Sequence, residues 1–233
     1  MWYTIIMKRN EIYFISDAHL GFSPSLDKEG GSVLLKFLEE ISDRAEKLFI
    51  VGDLFDFWVE YKWAIRPDYF DILCGLKKLH EKGVEIHYCL GNHDFALGGF
   101  LKNRIGIRIH RENWRGELQG VKTMVIHGDG LRKGDRANRF LRRILRNRFL
   151  QRLYRILHPG LGVPLAEFFS RLSRRHFPPR RMKEILEEYR LIARDFLRNG
   201  TRIVVIGHTH HPEIVNFDSG VYCNTGNWMG DYS

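Results

Sequence analysis

The sequence predicts an α/β protein on three observations. Short apolar, β-branched runs recur along the chain, helical spacings of apolar residues separate them, and five of the runs end in a cluster of Asp, Asn, His and Gly. The runs fall at 11–16, 47–51, 85–90, 123–126, 202–206 and 221–223. Between the first two, Val33, Leu34, Phe37, Leu38 and Ile41 recur at helical spacing. Ile72, Leu73, Leu76 and Leu79 do the same before the third run, and Gly83 stops that helix.

Past residue 130 the strand rhythm lapses. Phe140, Leu141, Ile144, Leu145 and Phe149 mark one apolar helical face; Leu150, Leu153, Tyr154 and Leu157 continue it as far as the breaker His158-Pro159-Gly160. Leu165, Phe168, Phe169 and Leu172 form another, ended by Pro178-Pro179. Met182, Ile185, Leu186, Tyr189, Ala193 and Phe196 then make a regular helix, closed by Asn199-Gly200, that reads as part of the core. The expected organisation is one core built from residues 1–130 and 181–233, with a helical cap inserted at 131–180.

A chain of 233 residues with 44% hydrophobic and 28% charged residues has the composition of a globular domain with a sizeable core, and excludes wholesale disorder. The net charge of +9 is localised: residues 131–196 hold 18 of the 37 Lys and Arg but 6 of the 28 Asp and Glu. Cys74, Cys89 and Cys223 form neither a paired framework nor a CxxC pattern, so a reducing, cytoplasmic setting is expected. Met1 to Met7 is apolar but precedes Lys8-Arg9, the reverse of a secretory leader; it reads as a tail into the first strand, with Met7 as an alternative start. No run approaches the roughly 18 apolar residues of a membrane span, so any membrane contact is expected to be peripheral.

The chemistry-bearing residues stand just after the strands: Asp17-Ala18-His19, Gly52-Asp53, Gly91-Asn92-His93-Asp94, His127-Gly128-Asp129 and Gly207-His208-Thr209-His210. Ligands of open α/β sheets bind beyond the carboxyl ends of the strands, where all five clusters would meet. An Asp-x-His or Gly-Asp alone is usually a turn or cap, and His127 alone would pass for a core histidine. Their joint occurrence, each after a strand, is what argues for a site. Hydrolysing a phosphate ester or anhydride requires a strong nucleophile at neutral pH and neutralisation of the phosphoryl oxygens, and two metals about 3.5–4 Å apart supply both. Asp53 suits the bridging position, Asn92 offers an amide oxygen, and the histidines offer imidazoles. This O/N set without thiolate suits two divalent ions, Mn2+ foremost, with Zn, Fe or Co as alternatives. A structural metal site would gain little from the weak amide ligand Asn92 with His93 beside it.

The motifs, in this order from Asp17 to His210, resemble the calcineurin-like metallophosphoesterases, whose pattern is D-x-H, G-D, G-N-H-[DE], H and G-H-x-H. The resemblance implies a four-layer αββα sandwich. It also implies one metal on Asp17, His19, Asp53 and His210, a second on Asp53, Asn92, His127 and His208, and in-line attack by a metal-bound hydroxide. His93 would contact the phosphate or protonate the leaving oxygen, oriented by Asp94.

The segment Gly52-Asp53-Leu54-Phe55-Asp56-Phe57-Trp58, with Asp94-Phe95 and the helical insertion, is similar to one branch of that family. Its members cleave the diphosphate of UDP-2,3-diacylglucosamine in lipid A biosynthesis, giving UMP and 2,3-diacylglucosamine 1-phosphate. By that resemblance Asn92, His93, Asp135, Ser173, Arg180 and His208 contact substrate and the cap binds the acyl chains. The chain departs from the branch at His93, where many members have Arg, and at Phe177, where they have Asn. An arginine-rich amphipathic cap also fits an anionic membrane surface, on the inner face of the cytoplasmic membrane. No nucleic-acid partner is expected: recognition motifs are missing, and the cap carries more large apolar residues than phosphate-backbone binding needs. A metal-dependent nuclease or other phosphodiesterase is the alternative.

Overall fold

Alternate residues of the central strands face two different partners, and this builds the layers. The structure, a computed structural model, describes residues 9–22, 24–95, 99–174 and 181–229, with the side chains of all but a few helical residues among them. Strands β1 (Glu11–Ile15), β2 (Ala45–Ile50), β3 (Glu85–Cys89) and β4 (Arg108–His110) form a parallel sheet in that order. Helices α1 (Pro24–Ile41) and α2 (Phe70–Glu81) are the crossovers. Ile15, Leu48, Ile50, Ile86 and Tyr88 pack on Leu34, Leu38, Ile41, Ile72 and Leu76 of these helices.

The second sheet is mixed, in the order β5 (Trp114–Leu118), β6 (Val121–Ile126), β7 (Ile203–Ile206), β9 (Gly220–Asn224) and β8 (Glu213–Phe217). Its outer face carries Met124, Ile126, Val204, Ile206 and Tyr222 against Ile185, Tyr189, Ala193 and Leu197 of α6 (Met182–Arg198). Between the sheets, Phe49, Val51 and Cys89 meet Leu118, Val125 and Val205, all nearly inaccessible to solvent. Burying each large side chain contributes about 1.5–3 kcal/mol. The result is helix, sheet, sheet, helix, the four layers expected. Strands β4, β5 and β8 were not among the expected runs: β4 has three residues, and β5 and β8 alternate exposed with half-buried positions.

Helices α3 (Arg136–Leu145), α4 (Arg148–Tyr154) and α5 (Pro159–Arg174) lie between β6 and α6. The Asn147 side chain accepts from the backbone N–H groups of Phe149 and Leu150 and caps α4, splitting what the apolar spacing reads as one continuous face. Phe140, Phe149, Ile156, Leu161 and Phe168 remain exposed. Among the described residues no helix is long and apolar enough to cross a membrane.

His87, away from the strand ends that carry the motifs, sits in the inter-sheet layer, stacked on Phe49 and on His110, whose Nε2 lies 3.0 Å from His87 Nδ1. Burial presses its pKa from 6.5 down to about 4, against the opposing pull of Glu85. Between those values the unfolded chain binds a proton that the folded chain does not, so stability is lost as pH falls through this window. His87→Phe is expected to flatten the acid side of the stability curve by up to about one proton, read from urea unfolding between about pH 4.5 and 7. An unchanged slope would refute this.

Candidate metal centre

Five loops converge where the carboxyl ends of the two sheets meet. Asp17 and His19 follow β1, Asp53 follows β2, Asn92 and His93 follow β3, His127 follows β6, and His208 and His210 follow β7. Among the described residues six non-glycine positions have positive φ, and five of them are Asp17 (52°), His19 (43°), Asp53 (53°), His208 (69°) and His210 (55°). Left-handed backbone costs such residues on the order of 1–3 kcal/mol each and persists only where the surroundings impose it. Here the loops are stitched together: Asp17 N–H donates to Gly52 O (3.1 Å), His19 N–H to Asp53 O (3.0 Å) and His208 N–H to Asp17 Oδ2 (2.9 Å). Glycines permit the closeness. A Cβ on Gly91 would overlap Asp53 Oδ1, and one on Gly52 would overlap the His127 ring.

His127 Nδ1 lies 2.8 Å from Val51 O and donates to it, which turns Nε2 inward. That nitrogen meets Asn92 Oδ1, Asp53 Oδ2 and His208 Nδ1, each 3.2 Å away. On the other side, His210 Nε2 lies 3.3 Å from both Asp17 Oδ1 and His19 Nε2. Lone-pair atoms this close repel one another unless a cation, a proton or a metal, sits among them. Ligand atoms of Asp17, His19 and His210 fall within 4.8 Å of one another, as do those of Asp53, His127 and His208, and those of His19, Asp53 and His93. Asp53 belongs to two of the three groups.

The charge states follow from burial opposed by neighbours. Burial alone would raise the carboxyls of Asp17 and Asp53, but the His127 charge and nearby imidazoles outweigh it and hold both below the usual range. Burial depresses His19 to about 3 and His208 to about 4, keeping them neutral with lone pairs available. His127 is itself buried, yet Asp53 and Asp17 raise its pKa well above 6.5. Two ionised carboxylates, the neutral imidazoles of His19 and His208, an amide oxygen and no thiolate fit a hard-to-borderline divalent ion.

One expectation meets a different geometry. Asp94 faces away from the His93 ring. Its Oδ2 accepts from Gly91 N–H (2.8 Å) and Asp53 N–H (3.1 Å) and its Oδ1 from Tyr88 Oη (2.6 Å), so it braces the Asp53 loop. Burial and the neighbouring Asp53 push it up to about 6. The His93 ring is held instead by Asp56, whose carbonyl accepts from Nδ1, and Ser170 of α5 lies beside it. A spacing of one residue along the loop does not reveal that Asp94 folds back under the strand end. Asp135 precedes α3 and interacts with Arg132 and Tyr189, outside the donor groups. The Ser173 side chain and Arg180 lie outside the described residues.

Sequence reasoning also passed over residues that tie α3 and α4 to these loops. Arg142 donates to Asp129 O (3.0 Å) and Arg146 to Leu90 O (3.2 Å), both beside the Asp129 carboxylate, and the Gln151 amide donates to Phe95 O. From β9, Asn224 donates to Thr209 Oγ1 (2.9 Å), and beyond it Trp228 N–H donates to Asp17 O (3.3 Å).

A centre of Asp, His and Asn at the ends of two facing sheets defines a metallophosphoesterase, and the calcineurin-like phosphoesterase family model matches residues 11–212: the chain belongs to that family of enzymes. Membership implies divalent metal ions. The chain is 36% identical over 169 residues to a UDP-2,3-diacylglucosamine hydrolase of Porphyromonas gingivalis, covering 72% of this chain and 64%, just under two thirds, of that protein. It is 30% identical over 230 residues to the protein of the same name from Neisseria meningitidis serogroup B, covering 95% and 91%. Among solved structures, a protein of unknown function from Aquifex aeolicus aligns over 95% of this chain and 92% of its own, with 15% identity and a TM-score of 0.49.

Proposed function

We propose that the chain is a dinuclear-metal hydrolase that cleaves the diphosphate of UDP-2,3-diacylglucosamine to UMP and 2,3-diacylglucosamine 1-phosphate. The observation that carries this reading is an apolar cavity of about 190 Å³ between the loop after β2 and helix α5, lined by Phe57, Trp58, Ile65, Tyr69, Val163 and Ala166. That loop begins at Asp53, so a greasy chain in the cavity would leave its polar end near the donor groups. A substrate that is part diphosphate and part lipid matches both, and the named relatives support it.

In this reading Asp17, His19 and His210 hold one ion, Asn92, His127 and His208 the other, and Asp53 bridges. A pair of such ions, Mn2+ foremost, would neutralise the phosphoryl oxygens and activate water at neutral pH. His93, with Nδ1 engaged by the Asp56 carbonyl, keeps Nε2 to meet the phosphate and to pass a proton to the leaving oxygen. Residues 131–180 act as the cap; Asn92, His208, Asp135, Ser173 and Arg180 contact substrate. The exposed Phe140, Phe149, Ile156, Leu161 and Phe168, among arginines, would rest on the anionic inner face of the cytoplasmic membrane.

The test is direct. Purified protein with Mn2+ and UDP-2,3-diacylglucosamine in mild detergent should release UMP. Cleavage of polynucleotides with the sugar-lipid untouched at matched enzyme would replace this reading by the nuclease one.

A further inference from the structure

Asp17 and His210 belong to one donor group but come from different sheets: Asp17 follows β1 of the parallel sheet and His210 follows β7 of the mixed one. Their ligand atoms lie 3.3 Å apart. Asp17 and His19 are buried, whereas the His210 side chain is 40% exposed, so packing secures His210 less than the other two. Its backbone is also left-handed, a conformation that persists only where the surroundings impose it. Hydrogen bonds have to hold this loop where burial does not.

The segment after β9 supplies them. The side-chain amide of Asn224, the last residue of β9, donates to Gly207 O (3.2 Å) and to Thr209 Oγ1 (2.9 Å), and that of Asn227 donates to His210 O (3.1 Å). Each amide is aimed by the other end of its own side chain. Asn224 Oδ1 accepts from Gly226 N–H (3.1 Å) and Asn227 Oδ1 from Met229 N–H (2.8 Å), two successive turns in which an asparagine oxygen binds the backbone two residues on. These bonds identify the oxygen of each side chain and leave its NH2 group for the histidine loop. Thr209, Asn224 and Asn227 are all buried, so water competes little for the contacts.

The same segment is fastened to the first sheet. Thr225 Oγ1 lies 2.7 Å from Ser16 Oγ, and Trp228 N–H donates to Asp17 O at 3.3 Å. The Trp228 ring is buried in the core of the parallel sheet, its centroid 5.0 Å from that of Phe37 on α1. Residues 224–228 thus cross from one sheet to the other and bond to the backbone of both Asp17 and His210.

We propose that Asn224 and Asn227 are positioning residues: by holding the 207–210 backbone in place opposite Asp17, they set the spacing of the donor group Asp17, His19 and His210 and so its hold on an ion. The inference rests on the metal-hydrolase reading but not on the lipid substrate. Groups that hold ligands from outside the coordination sphere typically govern metal affinity or activity by about 10–100-fold. The other donor group has its own support, His127 Nδ1 on Val51 O, away from Asn227. Loss of the Asn227 donor should therefore weaken one ion more than the other.

The test uses the full chain. Mn2+ binding is followed by titration calorimetry and by electron paramagnetic resonance, and folding by thermal melting with a chelator present. Asn227→Asp keeps the oxygen that accepts from Met229 N–H and puts a second oxygen, in place of the donor, against His210 O. It is expected to weaken one of two Mn2+ binding steps by about 10–100-fold, to leave the other near wild type, and to replace the spectrum of a spin-coupled ion pair by that of an isolated ion. The added negative charge alone would tighten a cation, so weakening reports the lost donor. Thr209→Val, which removes the acceptor of Asn224, should act in the same direction, and Thr209→Ser, which keeps the hydroxyl, should bind as wild type does. If Asn227→Asp lowers the melting temperature while both Mn2+ steps hold their affinity or tighten, the segment is only structural and the proposal fails. Should Asn227→Asp not fold, the Thr209 pair decides: equal Mn2+ binding by the two variants refutes the proposal. Wild-type protein that takes up no Mn2+ would remove the metal reading itself, whereas normal uptake by wild type and variants alike removes only this inference.

Discussion

Asp53→Ala is expected to abolish metal-dependent phosphodiester hydrolysis, with a loss greater than the about 10–100-fold typical of residues that only orient metal ligands. The physical ground is that Asp53 serves two groups of donors at once. Its Oδ2 lies 3.2 Å from His127 Nε2, and its Oδ1 accepts from His93 N–H at 2.9 Å. Removing the carboxylate deletes the proposed bridge and frees the Asn92-His93 loop together. Alanine also sits badly at φ 53°, which adds a backbone cost to the loss. Asp53→Asn keeps a residue tolerant of that conformation and should still lose nearly all turnover, because a neutral amide cannot bridge two cations. A loss below about tenfold in the Asn variant would contradict the role given to Asp53, since even changes to residues that orient the ligands reach that size.

The second large effect concerns stability. Protein stripped by a chelator should melt at a lower temperature than protein in saturating Mn2+. At free metal one hundred times the dissociation constant, binding adds about 2.7 kcal/mol. For a chain of this length that corresponds to roughly 5–10 °C, at about 2–4 °C per kcal/mol. The reason is local crowding: His127 Nε2 is 3.2 Å from three other polar atoms, and five of the candidate ligand positions hold left-handed backbone. A cation converts these contacts from repulsive to attractive and helps maintain the strained loops. If neither Mn2+, Zn2+, Co2+ nor Fe2+ moves the melting temperature, the donor groups do not form a metal site.

The elements differed in how plainly the chain announced them. Helices α1, α2 and α6 each bury one stripe on a sheet, so Leu34-Leu38-Ile41, Ile72-Leu76-Leu79 and Ile185-Tyr189-Ala193 keep helical spacing in the sequence. The inner strands are covered on both faces and appear as unbroken runs such as Ile203–Ile206. Strand β8 lies at a sheet edge with Ile214 exposed, and its Glu213–Phe217 segment carries no comparable run. The apolar spacings of α3–α5 marked helices, but helical spacing alone does not say what covers a face, and Phe140, Phe149 and Phe168 are more than half exposed.

The candidate donor set was legible in the amino-acid sequence: which residue types come after which strands, and that Asp17, His19, Asp53, Asn92, His127, His208 and His210 would share one end of the sheets. That much is local, because a strand end places the next few residues at the same edge whatever else the chain does. Which acid faces which histidine was decided only by tertiary structure. Asp94 turns back to the backbone of Gly91 and Asp53, while the Asp56 carboxylate lies beside His19 and His93 and accepts from Ser170, 114 positions away. Such pairings depend on loop path and on how a distant helix docks, and hydrogen bonds of this range leave no periodic trace along the chain.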